Sequence, residues 1–304
     1  MVSISLFGAV ILTCLVVVSV LWCRWSDKVE NGKVQLLAWP VAIGLPFLIG
    51  AAIYSGHPRW PFTSENEDRF LAILLPLAVM TEVVAFFLPG WVAWTGRLLI
   101  SLSATPLLLL GTVYFQTWSG LQTALWLGIL ADCLMLAWVS LDCQIRLLPP
   151  RTVLFGLAGV NAGAGIVLMI GGYATGGPLA MILGAALATT ALVSPRTLPA
   201  KALAGAASIG LVGLFAILVS GHFLASLGLD HAAILFAAPV LAWVLILPRI
   251  RKAAMLRVAV LVLEALPVVG VVGLAWKRSE EPETRTSVND TTDYSPADYE
   301  QFGK

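Results

Sequence analysis

The chain has 304 residues, of which 59% are hydrophobic and 12% charged, against about 25% charged in ordinary soluble domains. That leaves too little polar surface to cover a water-soluble globule, and the apolar residues fall in runs near the ~20 residues that cross a bilayer. The net charge is +1, from 18 basic and 17 acidic residues, which excludes the clustered basic face that a nucleic-acid partner needs.

The apolar runs do not alternate with polar residues, so a β-barrel is excluded as well. The expectation is an all-α protein: a polytopic transmembrane helix bundle of about ten spans over residues 1–276, with a disordered acidic polar tail over 277–304.

The first run, 4–23, ends in Trp22-Cys23-Arg24-Trp25. It is too long for a signal-peptide core and lacks a small-residue cleavage site, so it reads as an uncleaved span. A second run covers 36–54. The stretch from His57 to Leu88 then starts in water and enters lipid. Ser64 and Glu67 have capping-box spacing, and Glu65, Glu67 and Asp68 place negative charge where a helix dipole favours it. The apolar part, 70–88, carries Glu82 inside it. Further spans are expected at 98–116, 121–141, 152–173, 178–193, 203–223, 231–247 and 256–276. Turns are expected at Asn31-Gly32, Pro89-Gly90, Pro149-Pro150 and Gly176-Gly177. The tail is rich in Glu, Asp, Ser, Thr and Pro and has little to bury. Its Asn289-Asp290-Thr291 triplet matches a glycosylation sequon, a triplet frequent by chance.

Orientation follows from Lys and Arg in the loops. Twelve of the 18 fall after odd-numbered spans, Arg97 among them, and six on the other side. The protein is therefore expected to be multi-pass in a cell membrane with both termini extracytoplasmic. Lys277 and Arg278, directly after the last span, pull the other way. Trp22, Trp25, Trp39, Trp91, Trp94 and Trp138 fall near inner boundaries, and Trp60, Trp118 and Trp276 near outer ones, as headgroup anchors do. The sixth to eighth spans are rich in Gly and Ala. Gly159 and Gly163 form a GxxxG pair, a signal of close helix packing.

Three carboxylates lie near the middle of spans: Glu82, Asp132 and Glu264. Asn161 falls at a similar depth. No Lys or Arg is placed there, so the four are expected to form one polar layer that holds protons near neutral pH. Such a layer is a candidate proton- or ion-coupling site; the structural alternative is a set of protonated acids joining helices by hydrogen bonds.

His57, His222 and His231 fall near outer span ends, where solvated histidines are ordinary, although His222, Asp230 and His231 are close enough in sequence to approach one another. There is no HExxH, no GxSxG, no phosphate loop and no Asp-rich motif. Cys14, Cys23, Cys133 and Cys143 form no CxxC pair and read as small apolar core residues. No catalytic residue, metal or cofactor is implied.

In length and span count the chain resembles the drug/metabolite transporter architecture, two inverted five-helix halves. The resemblance implies halves near 1–145 and 146–276, with Asp132 and Glu264 in equivalent last helices. No motif of that family is present, and its members usually keep both termini in the cytoplasm.

The leading expectation is secondary transport of a small solute or ion, with the carboxylates carrying the coupling proton and Pro46, Pro76, Pro106, Pro239 and Pro267 breaking helices near them. The partners are then the lipid bilayer and a solute, proton or cation. The alternative is a membrane scaffold or accessory subunit that transports nothing. The orientation is checked by a reporter active only in the cytoplasm and fused after Lys304: it is expected to stay silent, and a signal overturns the arrangement with both ends outside.

Overall fold

The computed structural model describes residues 73–88, 90–110, 112–173, 175–193, 200–225, 227–241 and 255–280. The first two expected spans, the Ser64–Glu67 capping box and the tail beyond Glu280 lie outside the described residues. Regular structure among those described is helical: α1 (Leu75–Phe87), α2 (Gly90–Leu109), α3 (Val113–Thr117), α4 (Gly120–Leu147), α5 (Pro150–Ile170), α6 (Gly176–Val193), α7 (Ala200–Leu224), α8 (Leu229–Leu241) and α9 (Met255–Glu280).

Four are long and apolar enough to cross a membrane: α2, α4, α5 and the Leu203–Leu224 part of α7. α1, α6 and α8 are apolar over shorter lengths. These are the helices of a membrane protein. Large apolar side chains such as Leu99, Leu102, Leu136, Leu266 and Val269 point outward, a surface that suits lipid and not water.

Local signals set the helix ends. α4 starts after Ser119, whose hydroxyl accepts the Gln122 N–H at 3.3 Å, satisfying one orphan donor. It runs beyond the expected end of its span, and Asp142 and Arg146 pair one turn apart at 2.7 Å. α5 opens on Pro150, where a missing N–H costs nothing. It closes in a Schellman turn: the Tyr173 N–H donates to the Leu168 carbonyl at 2.9 Å and the Gly172 N–H to the Met169 carbonyl at 3.2 Å. Gly172 takes a φ of +80°, which a Cβ would strain. The chain therefore turns at Gly171-Gly172, and the expected breaker, Gly176-Gly177, instead opens α6.

The prolines are a second correction. Pro106, Pro239 and Pro267 lie inside α2, α8 and α9, which continue through them; Pro76 sits at the start of α1. Helices in lipid tolerate proline where neighbours re-satisfy the backbone. Near the end of α8, the Gln144 side-chain amide of α4 donates to the Pro239 carbonyl, one of the last-turn acceptors of that helix.

α7 is the axis of the bundle. Its apolar window is 94% buried, against 33% for α4, because α1, α2, α4, α5, α6 and α8 all pack on it. It can be surrounded because it has little bulk. A methyl group on Gly210 would lie 2.7 Å from Leu187 and 2.9 Å from Leu157, and one on Gly213 2.2 Å from Leu183.

The closest approach is between α5 and α6, where backbone meets backbone. A Cβ on Gly184 would fall 2.8 Å from the Ala158 carbonyl oxygen, and one on Gly165 2.7 Å from that of Gly177. The expected GxxxG pair is not the contact. Gly163 meets Val268 of α9, but Gly159 is exposed, with nothing among the described residues within 4 Å of where its Cβ would lie. Gly156 and Gly163, two turns apart, are the pair that receives α9.

Adding one methyl group at Gly184 therefore forces two backbones apart. Gly184→Ala is expected to lower unfolding stability in detergent by about 1–3 kcal/mol. Gly159→Ala is expected to be neutral or to stabilise by up to ~1 kcal/mol. Thermal unfolding of the two variants side by side checks this; equal Tm values would show that the α5–α6 contact has slack.

Candidate functional site

The four expected site residues sit on four helices: Glu82 on α1, Asp132 on α4, Asn161 on α5 and Glu264 on α9. Among the described residues no hydrogen bond or ion pair joins any two of them.

Glu82 meets Arg97. The α1–α2 turn is short, so the last turns of α1 and the first turns of α2 run side by side. Arg97 Nε donates to Glu82 Oε1 at 2.9 Å and Nη2 to Oε2 at 3.1 Å. Both residues are buried. Arg97, expected in a loop, is inside α2, which starts eight residues earlier than the expected span (98 − 90). The expectation that no basic group shares the depth of the acids is corrected. A carboxylate and a guanidinium in fork geometry neutralise each other, so a formal charge can lie inside an apolar helix. The sequence held a usable signal. Glu82 lies seven residues before Pro89 and Arg97 seven after Gly90, so any tight turn at Pro89-Gly90 brings them level.

The indole rings complete this centre. The Arg97 guanidinium carbon is 5.1 Å from the Trp94 ring centroid and 6.0 Å from that of Trp138, within cation–π range. Trp138, expected at a headgroup boundary, is only 1% exposed. Its Nε1 has no hydrogen-bond partner among the described residues. A crevice beside Arg97, lined also by Asp142, Ala204 and Ser208, is too narrow for a water molecule.

Glu264 is a different case. It is 2% exposed, and its Oε2 has no hydrogen-bond partner among the described residues. Its carboxyl group fills the space that a side chain on Gly156 would take: a Cβ there would lie 1.5 Å from Oε2. The missing side chain on α5 is what admits the acid on α9. Pro267, just beyond it in α9, removes the helical donor of the Leu263 carbonyl.

Asn161 belongs elsewhere. Five residues on from Gly156 is about 140° round the helix. It shares the α5 face of Leu157 and Leu168, which meet Gly210 and Gly221 of α7. Its Nδ2 bonds back to the Leu157 carbonyl at 2.8 Å, and its Oδ1 is buried and unpartnered among the described residues. Asp132 is exposed on the outer side of α4, beside Ile129 and Leu136.

His231 is buried, not solvated. Its Nδ1 is 3.3 Å from Asp230 Oδ1, and its Nε2 has no partner among the described residues. His222 Nδ1 instead meets the Leu227 carbonyl at 2.9 Å. Among the described residues no three His, Cys, Asp or Glu side chains converge as metal ligands do. Tyr114, Trp118, Trp126 and Phe223 form an aromatic cluster, with ring centroids 5.3–6.1 Å apart, that joins α3, α4 and α7.

No protein-family model matches this chain, and no curated protein or solved structure is significantly similar to it. The likeness in span count noted above carries no further argument.

The Glu82–Arg97 pair has a clear energetic signature. Removing one partner strands a buried charge, which costs about 3–5 kcal/mol; replacing both with apolar residues of similar volume is often neutral. Glu82→Gln and Arg97→Gln are each expected to destabilise the detergent-solubilised protein by that amount. The double variant Glu82→Leu/Arg97→Met is expected to recover most of it. A double variant as unstable as the sum of the singles would show that the two side chains act independently.

Proposed function

We propose that this chain is a polytopic integral membrane protein of the secondary-transport type, moving a small solute or ion, with Glu264 as its proton-binding group. The observation that carries the reading is the Glu264 carboxyl: buried in the bundle, seated in the Gly156 notch, with an oxygen that has no hydrogen-bond partner among the described residues. An intramembrane acid without a partner is costly to keep and ordinarily marks a proton or ion path. The layer of four narrows here to one residue. Glu82 is neutralised by Arg97 and fastens α1 to α2. Asn161 points toward α7. Asp132 lies on the outer face.

A second reading is favoured by the different neighbours of these groups and by the buried, paired Glu82–Arg97 centre. In that reading the chain is a non-transporting scaffold or accessory subunit, and Glu264 is a packing acid.

The two readings differ in whether Glu264 exchanges protons. In proteoliposomes with a pH-sensitive dye inside, a panel of small solutes is expected to drive proton movement through the native protein. Glu264→Gln is expected to abolish it at unchanged folding, and so is Gly156→Ala, which keeps the acid but expels it from its notch. Gly163→Ala, which presses only on the Val268 side chain, is expected to retain it. Dicyclohexylcarbodiimide, a lipid-soluble carboxyl reagent, is expected to label Glu264. Absence of both labelling and proton movement would leave the scaffold reading.

A further inference from the structure

Asp132 stands on the outer face of α4, exposed, with no hydrogen bond or ion pair among the described residues. It is one residue past the midpoint of the expected span 121–141, or about 1.5 Å along the axis from mid-depth. At ~100° per residue, Leu121, Leu125, Gly128, Leu136 and Val139 lie within about 40° of it round the helix, and all are exposed. At Gly128, one turn before the acid, nothing among the described residues lies within 4 Å of where a Cβ would sit. The stripe is therefore open along its length, with a shallow notch beside a carboxyl.

Lipid gives that carboxyl neither donor nor acceptor, and acids within spans ordinarily turn inward and pair. The chain holds no counter-charge for it. The only buried Lys or Arg among the described residues is Arg97, and Glu82 occupies it. The apolar runs 4–23 and 36–54, outside the described residues, contain no Lys, Arg, His, Asp or Glu. A protonated carboxyl, however, is donor and acceptor at once, so a second carboxyl at the same depth completes it. Glu82 and Glu264 are buried elsewhere in the bundle, which leaves Asp132 itself.

We propose that the Asp132 face of α4 is a homodimer interface, closed by a second copy of this chain whose own Asp132 hydrogen-bonds to the first across a twofold axis. Two copies inserted in the same orientation are related by an axis along the membrane normal. Each residue near that axis then meets itself at its own depth, a match that symmetry guarantees and that an unrelated helix need not offer. Gly128, one turn away, lets the two backbones approach, as small residues do at helix contacts in lipid. Leu121, Leu125, Leu136 and Val139 supply the apolar contact above and below the carboxyls. The interface is separate from Glu264, which lies on α9, and does not depend on the transport reading.

The full chain, with a dye on a peptide tag after Lys304, is reconstituted in liposomes over a range of protein-to-lipid ratios. Photobleaching steps per liposome then give the monomer–dimer equilibrium. The native chain is expected to dimerise, and a monomer at every ratio overturns the proposal. Asp132→Leu removes the paired hydrogen bonds and is expected to weaken association about tenfold. Asp132→Asn, whose amide still donates and accepts, is expected to stay within about threefold of the native chain. Gly128→Ile holds the backbones apart and is expected to weaken association about tenfold or more. Gly270→Ile, on the exposed face of α9, is expected to change nothing. Dimers that persist in both Asp132→Leu and Gly128→Ile overturn the proposal, as does equal weakening by Gly270→Ile or loss of the dimer in Asp132→Asn. All of these positions are exposed, so the variants are expected to fold, which thermal unfolding checks. Oxidative crosslinking names the occupant. With Cys23, Cys133 and Cys143 changed to Ser, Leu136→Cys leaves one thiol on the face and Cys14 in the apolar run 4–23. Copper phenanthroline is expected to join position 136 to position 136 between two chains. A disulfide from position 136 to Cys14 within one chain would show that the first apolar run covers the face, and overturns the proposal.

Discussion

The bundle depends on side chains that are missing. α7 can be surrounded by six helices because Gly210, Gly213 and Gly221 let Leu157, Leu183, Leu187 and Leu168 reach its backbone. α5 and α6 come closer still, Gly165 against Gly177 and Gly184 against Ala158 and Ala162. In lipid, helices gain nothing by hiding apolar surface from water, so association rests on close contact over many atoms. A methyl group at these positions removes the contact along a whole helix pair. The same absence makes room for chemistry, since the notch left by Gly156 is where Glu264 sits.

Around this packing, polar groups are resolved one at a time. Glu82 and Arg97 neutralise each other across a single turn of chain. Gln144 serves the Pro239 carbonyl, and the hydroxyls of Thr189 and Thr190 bond back to carbonyls one turn earlier in α6. Each of these bonds lies within the bundle, either inside one helix or between two neighbours. An acid that finds no such partner stands out, and Glu264 does. Different helix pairs hold these groups: α1 and α2 the ion pair, α5 and α9 the buried acid.

The sequence by itself determined the class. Low charge and long apolar runs leave an all-helical membrane bundle as the physical solution. The break at Pro149-Pro150 stands where α5 begins, and Gly-rich α5, α6 and α7 pack tightly as small residues allow. Placement within helices was legible too, because it is counted along the chain: Glu82, Asp132, Asn161 and Glu264 all lie inside helices. Arg97 was misplaced because a charge was assumed to end a span, when its partner was already fixed by its distance from Pro89-Gly90.

The angle round each helix was not in the sequence. In a soluble helix, polar residues mark the outer face; here both faces are apolar, one toward neighbours and one toward lipid, and the pattern has no side. Tertiary structure alone turned Asp132 outward, placed Asn161 on the α5 face that meets α7 and seated Glu264 at Gly156, so that each has its own neighbours. It also decided that Gly156, and not Gly159, pairs with Gly163, because contact depends on which face meets a neighbour. Composition and linear position survive projection onto a single coordinate along the chain; azimuth does not, and convergence of side chains is a matter of azimuth.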